Sequence, residues 1–377
     1  MSNSGNPRSL FVGLMSGTSM DGIDAALVRL GDKLCETVAT TSYPYPAELR
    51  DALLAASRNP SATTVDDLGD LDHWVGCCFR DAVTALLKAS GTDHTAIEAV
   101  GSHGQTIRHL PHAARPFTLQ IGDPNIIAVG TGITTVADFR RRDLALGGEG
   151  APLAPAFHQW LFADREQHRV VLNIGGIANI TVLPPGSENV TGFDTGPGNG
   201  LMDAWIQQSS NAAFDDDGAW ASQGNVLPDL LTKMLDDAYF DLTPPKSTGF
   251  EYFNLDWVMR HIGANENLVA SDVQASLLAL TARSIGNAIE KHAPDTREVL
   301  VCGGGVHNGA LMNLLATTLA PAAVRSTGDY GLDPDWVEAA AFAWLAKQTL
   351  LGRSGNLPAV TGARRAEVLG GIYVCVK

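Results

Sequence analysis

Two segments far apart in the chain share one plan, and that duplication narrows the fold more than any other feature. Residues 10–30 read LFVGLMSGTSMDGIDAALVRL, and residues 169–183 read RVVLNIGGIANITVL. Each is an apolar run, a turn of small residues and a second apolar run, the pattern of a β-hairpin with backbone amides exposed at its tip. A single such hairpin is weak ground for a fold. One in each half of a 377-residue chain predicts two related lobes facing each other, each large enough to bury its own core.

Between and after the hairpins, strand patterns alternate with helical ones, which indicates an α/β class. Leu68, Leu71, Val75, Phe79, Val83 and Leu86 recur at helical spacing over residues 65–88. Residues 97–101 read as a short strand running into Ser102-His103-Gly104-Gln105-Thr106, and residues 134–139 as another strand before Arg140, Arg141 and Arg142. The breaker-rich stretch GGEGAPLAP, residues 147–155, predicts a hinge ahead of a helix over 156–162. A long helix is expected over 271–292, then a strand over 298–302 and the glycine turn Gly303-Gly304-Gly305. Pro334 opens a last helix with Val337, Ala341, Trp344 and Leu345 along one side. The expected division is a first lobe of residues 1–150 with 352–377 and a second of 151–351, one hairpin in each, the glycine turn in the second.

Composition excludes more than it selects. A net charge of −15 repels nucleic acid and anionic membranes, so neither is an expected partner, and any phosphate must be gathered locally. Cys35, Cys77, Cys78, Cys302 and Cys375 are odd in number and form no CxxC pair, which predicts reduced thiols in a cytoplasmic protein. The first residues, MSNSGNPRSLFVG, lack the basic and apolar regions of a signal peptide. No apolar run approaches the roughly 18 residues needed to span a bilayer.

The turn from Gly17 to Gly22 lets backbone approach a polyanion closely. Thr18 and Ser19 add hydroxyl donors, and Asp21 or Asp24 would supply oxygen to a hard cation such as Mg²⁺. Alone, the same residues read as an ordinary hairpin turn, since Asp-Gly is favoured there. The second tip, around Asn173, Gly175 and Gly176, is uncharged, which suits a nucleotide whose metal is held elsewhere. Gly303–Gly305 between a strand and a helix can back onto adenosine or place phosphate at a helix N-terminus. No GxxxxGK[ST] occurs and the glycines do not fit GxGxxG, which excludes a P-loop and disfavours a Rossmann site. Asp194, in FDTGPGN, could act as a general base or sit in an Asx turn. His103 and Gln105, just past a strand, stand where ligand contacts gather in α/β lobes, although His103 could equally be a bonded core histidine. One of the three arginines could clamp an anion.

Taken in order, MSGTSMDGID, SHGQT, QIGDPN, ADFRRRD, LGGEGAPLAPAFH, NIGGIANIT, FDTGPGN, PPKSTG and CGGGVHN strongly resemble the anhydro-N-acetylmuramic acid kinases over nearly the whole chain. The resemblance implies the two-lobe, actin-like ATPase (ribonuclease H-like) fold with ATP in an interlobe nucleotide cleft. It implies that 1,6-anhydro-N-acetylmuramic acid, water and ATP give N-acetylmuramic acid 6-phosphate and ADP in peptidoglycan recycling. By position it implies a phosphate loop over Gly17, Thr18, Ser19, Met20, Asp21, Gly22, Ile23 and Asp24, with Mg²⁺ at Asp21 and Asp24. Asp194 matches the base, while Arg140 and Glu338 match sugar contacts, and a homodimer is implied. Phe250 departs from the pattern, standing where the family is associated with an arginine. Two rivals remain on sequence: a hexosamine kinase of the same fold acting on a free 6-hydroxyl, and a non-catalytic sugar or nucleotide sensor.

Overall fold

The computed structural model describes residues 9–17, 19–186, 189–263 and 268–375. It forms two compact units, Met1–Leu161 with Trp336–Lys377, and Phe162–Asp335. None of the described helices is long and apolar enough to cross a membrane.

In the first unit the strands are β1 (Ser9–Ser16), β2 (Gly22–Leu30), β3 (Cys35–Pro44), β4 (Ile97–Leu110), β5 (Phe117–Ile121), β6 (Thr135–Ala137) and, late in the chain, β12 (Gly371–Tyr373). They form one sheet in the order β12-β6-β4-β1-β2-β3, with β5 folded back on β4. β1, β2 and β3 are an antiparallel meander, and β4 lies parallel to β1 and to β6. One face buries Val12, Leu14, Ile23, Ala25, Leu27 and Val100 against the helix Val65–Ser90. That helix starts on a capping box, in which Thr64 Oγ1 accepts from the Asp67 N–H and Asp67 accepts from the Thr64 N–H. Leu71, Val75, Phe79, Val83 and Leu86, expected on its apolar face, are buried there.

The other face receives the helix Val337–Leu350. A Cβ on Gly13 would overlap the Ala339 carbonyl, and one on Gly101 the Phe342 carbonyl, so these two glycines let helix backbone lie directly on the sheet. Every residue of this helix from Ala339 to Thr349 is buried, not one side only as its spacing predicts. The sequence-based division placed residues 151–351 in the second lobe; the observed units put 151–161 and 336–351 in the first, the latter by packing on β1 and β4. Residues 147–155 are likewise no hinge. Gly148 N–H bonds to the Asp143 carbonyl, Glu149 N–H to Thr361, and Gly150 N–H to the Asp143 carboxylate, fastening the stretch to its own unit.

The second unit repeats the scheme. β7 (Arg169–Ile174), β8 (Ile177–Leu183) and β9 (Thr191–Pro197) form an antiparallel meander, while β10 (Glu298–Cys302) runs parallel to β7 and to β11 (Ala323–Ser326). The order is β11-β10-β7-β8-β9. Setting the β5 hairpin arm and β12 aside, both units have strand order 3-2-1-4-5 with the first three antiparallel, the ribonuclease H-like arrangement of actin-like ATPases. The duplicated hairpins seen in sequence are the first two strands of each copy. Leu172, Ile174, Ala178, Ile180, Phe193, Val299 and Val301 make the core with the helix Ala270–His292.

Candidate functional site

In the first unit β1 ends at Ser16 and the chain turns through Gly17 to Gly22. Thr18, expected as a donor, lies outside the described residues. The turn pivots on the Gly17 carbonyl, which accepts from the Met20 N–H at 3.4 Å and from Gln105 Nε2 at 3.1 Å. Met20 and Ile23 are buried in the core, so among the residues expected at the phosphates these two offer only backbone. Gly22 presses on the Tyr43 carbonyl, leaving no room for a Cβ. Asp21 and Asp24 are exposed, with Ser19 Oγ donating to Asp21 Oδ1 and Ser42 Oγ to Asp24 Oδ1, each at 2.7 Å. Among the described residues no three His, Cys, Asp or Glu side chains are grouped to hold a metal.

SHGQT lies inside β4, not beyond a strand. His103 and Gln105 are buried there. His103 Nε2 accepts from Arg140 Nε at 3.1 Å and Nη2 at 2.9 Å, its ring 4.7 Å from that of Phe342. Burial, then the Arg140 charge, hold the imidazole well below its ordinary pKa, so it stays a neutral acceptor. Arg140 Nη1 also donates to the Gly150 carbonyl at 2.9 Å. Three of its five N–H groups are thereby fixed and two remain. Burial lowers its pKa to about 10, while Glu338 and Asp143 oppose that shift, and the guanidinium stays charged. Glu338, exposed at the start of the helix Val337–Leu350, is pushed upward by the surrounding protein, pulled down by Arg140 and raised by Asp24. Arg140 is therefore the inward arginine. Arg141 pairs with Asp138 at 3.5 Å, and Arg142 donates to the Val368 carbonyl.

In the second unit the expected groups converge on the tip of β7 and β8. The Gly176 carbonyl accepts from the Gly198 and Gly200 N–H groups, and the Gly175 carbonyl from Asn199 N–H. Gly303, at φ 80°, and Gly305 pack on Asn173 and Ile174 so closely that neither could carry a Cβ, while Gly304 is exposed. Asn173 pairs with Asn179 and Asn179 with Asp194, a polar half-buried row across three strands. Asp194 is held by its neighbours. Its backbone N–H donates to the Lys246 carbonyl, its own carbonyl accepts from Tyr239 Oη, and Oδ2 accepts from Thr248 N–H at 3.0 Å. Burial raises the Asp194 pKa to about 6; Glu251 adds to the rise, and Thr248 N–H and Lys246 oppose it. A carboxyl poised there can take up a proton near neutrality.

A family model, anhydro-N-acetylmuramic acid kinase, matches residues 9–375. The chain belongs to that family. It is 50% identical over 368 residues to the anhydro-N-acetylmuramic acid kinase of Coxiella burnetii, covering 97% of this chain and 98% of that one. It is 52% identical over 367 residues to that of Xanthomonas axonopodis, again covering 97% and 98%. The activator of a 2-hydroxyisocaproyl-CoA dehydratase from Clostridium difficile, solved with bound ADPNP, superposes with a TM-score of 0.46 at 12% identity over 89% of this chain and 92% of that one. That last likeness adds nothing to what strand order shows. Membership makes the chain an enzyme, a kinase.

Several of the kinase's site-shaping residues carry no signal readable in advance. Lys246 and Thr248 shape Asp194 through backbone groups, which no side-chain motif announces. Lys246 Nζ donates to the Tyr239 carbonyl and lies 4.5 Å from the centre of that ring. Asn199 was legible in FDTGPGN as a small polar residue between glycines, but its backbone bond to Gly175 was not. The Phe250 ring fills the space over Gly176 and Gly200, where an added Cβ would overlap it. That gives Phe250 a packing role at the tip.

Proposed function

We propose that this kinase opens 1,6-anhydro-N-acetylmuramic acid with water and transfers a phosphoryl group from ATP to O6, giving N-acetylmuramic acid 6-phosphate and ADP in cytoplasmic peptidoglycan recycling. The observation that carries the reading is Asp194: a carboxyl with pKa near 6, in the same unit as a glycine-lined tip. The bridging O6 has no proton, so it cannot be phosphorylated like a free hydroxyl. Asp194 takes a proton from water as the water oxygen bonds to C1 and the C1–O6 bond breaks. The electron pair left on O6 forms the new bond to phosphorus, and ADP departs. One carboxylate then suffices for the hydrolytic half, because phosphoryl transfer replaces the general acid of ordinary glycosidases.

Amides around Gly17–Gly22, Gly175–Gly176 and Gly303–Gly305 would support the phosphates and adenosine. Asp21 and Asp24, exposed carboxylates already oriented by serines, suit Mg²⁺, which keeps several waters and binds through one or two carboxylates plus phosphate oxygens. When bound, the ion would neutralise charge on the transferring group. Arg140 and Glu338 would orient the sugar through their remaining N–H groups and carboxylate oxygens.

Mass spectrometry of products formed in ¹⁸O-labelled water tests the proposal. Label at C1 of a 6-phosphorylated product is expected. A phosphorylated product without it would favour a kinase acting on a free 6-hydroxyl, and no ATP-dependent product at all would end the reading.

A further inference from the structure

We infer that Gln105 and Ser16 are positioning residues for the phosphoryl donor, acting through the Gly17 turn rather than by touching the sugar. The inference rests on the proposed role of that turn. Gln105 is fully buried in β4, and both ends of its amide are engaged. Nε2 donates to the Gly17 carbonyl at 3.1 Å and lies 3.3 Å from the Thr106 carbonyl. Ser16 Oγ lies 2.7 Å from Gln105 Oε1 and 2.7 Å from the Gly22 carbonyl, its one hydrogen serving either. Both ends of the turn, Gly17 and Gly22, are thus tied to one buried knot.

The strand register makes this arrangement deliberate. β4 advances three residues, Ser102 to Gln105, while β1 advances two, Leu14 to Ser16. The extra residue is taken up beside Gly104, at φ 72°, which brings Gln105 opposite Ser16. A carbonyl facing a polyphosphate is repelled by it; one bonded to a buried amide is turned away and cannot swing back without losing that bond. The second unit reaches the same end with the Gly198, Asn199 and Gly200 amides. Glutamine, with donor and acceptor on one rigid plane, holds the Gly17 carbonyl and receives Ser16 together.

Steady-state kinetics of Gln105→Glu, Ser16→Ala and Ser16→Thr, with both substrates varied, tests this. Gln105→Glu keeps shape; as a carboxylate it loses the donor, and as a neutral buried acid it retains one, so the constants are compared across pH. As the carboxylate it should raise KM for ATP and lower kcat by about tenfold or more, with KM for the anhydro sugar within about twofold. Ser16→Ala should shift the same two constants by a smaller factor, and Ser16→Thr, which keeps the hydroxyl, should restore them. A raised sugar KM at unchanged ATP KM, or no change in either, overturns the inference. Should Gln105→Glu fail to fold, the two serine variants carry the test. If the wild-type protein turns over no anhydro sugar, the functional reading fails by itself. Calorimetric binding of an unhydrolysed ATP analogue to the same variants then decides the inference: weakened binding in Ser16→Ala, restored in Ser16→Thr, supports it, and equal binding sinks it.

Discussion

The two hairpin tips share topology and differ in how they are held. The first is braced by two buried side chains, Gln105 and Ser16, and carries the exposed acids Asp21 and Asp24. The second is braced by backbone amides of residues 198–200, capped by Phe250, and carries no charge. The difference teaches a division of labour within one repeated scheme. A tip supported by buried side chains can place acids at its mouth without disturbing its frame. A tip held by its own next loop is tied directly to the strand bearing Asp194, so under the proposed function phosphate support and base would share one unit.

The sharpest way to break this contrast is Asp194→Asn. Loss of a general base should lower kcat by about 10²–10⁴-fold, with ATP binding unchanged; turnover near wild type would remove Asp194 from the role. Stability should move the other way. Because the folded pKa of about 6 lies above the ordinary 3.8, the fold favours protonated Asp194, and that contribution is lost as pH rises from 3.8 through about 6. The melting temperature of Asp194→Asn relative to wild type should therefore climb over that interval, and a flat difference would contradict the assignment. Next in size, Arg140→Lys removes the fork held by His103 and Gly150, a charge-assisted interaction of about 1.5–3 kcal/mol. KM for the sugar should rise tenfold or more, and an unchanged value would free Arg140 from the sugar.

Smaller effects separate the tips themselves. Gly176→Ala must displace the Phe250 ring and should cost about 1–3 kcal/mol in denaturant unfolding, relieved when combined with Phe250→Ala. Gly17→Ala meets nothing nearer than Ser19 Oγ at 3.9 Å and should cost under about 0.5 kcal/mol. Equal costs would erase the distinction. Smallest of all, Lys246→Met removes a positive charge that lowers the Asp194 pKa, so the acid limb of the pH–rate profile should shift upward by a fraction of a unit. A downward shift would contradict the assigned electrostatics.

Much of the frame is legible in the chain alone. Alternation of apolar residues with glycine turns announced both hairpins, and the spacing of Leu71, Val75, Phe79, Val83 and Leu86 announced the helix beneath the first sheet, because local periodicity is a property of the chain itself. Residues 298–302 read as a strand, and β10 spans those residues. The site was legible only in outline. Asp194 and the glycines stand out as residue types suited to phosphate and proton chemistry; His103 reads either as a ligand contact or as a core histidine, and it is buried, as are Gln105, Met20 and Ile23.

What the sequence determined by itself was the repeated strand-turn-strand unit and the kinds of residue at its tips, since both follow from short-range pattern and side-chain chemistry. Only tertiary structure decided which of the candidate side chains are buried, which arginine of three points inward, and to which unit Val337–Leu350 belongs. Each of those turns on a contact between residues distant in the chain: Gly13 and Gly101 under Ala339 and Phe342, Arg140 on His103, Gln105 on Gly17. Long-range packing leaves no periodic trace, because what it demands of a residue is set by a partner that local order does not name.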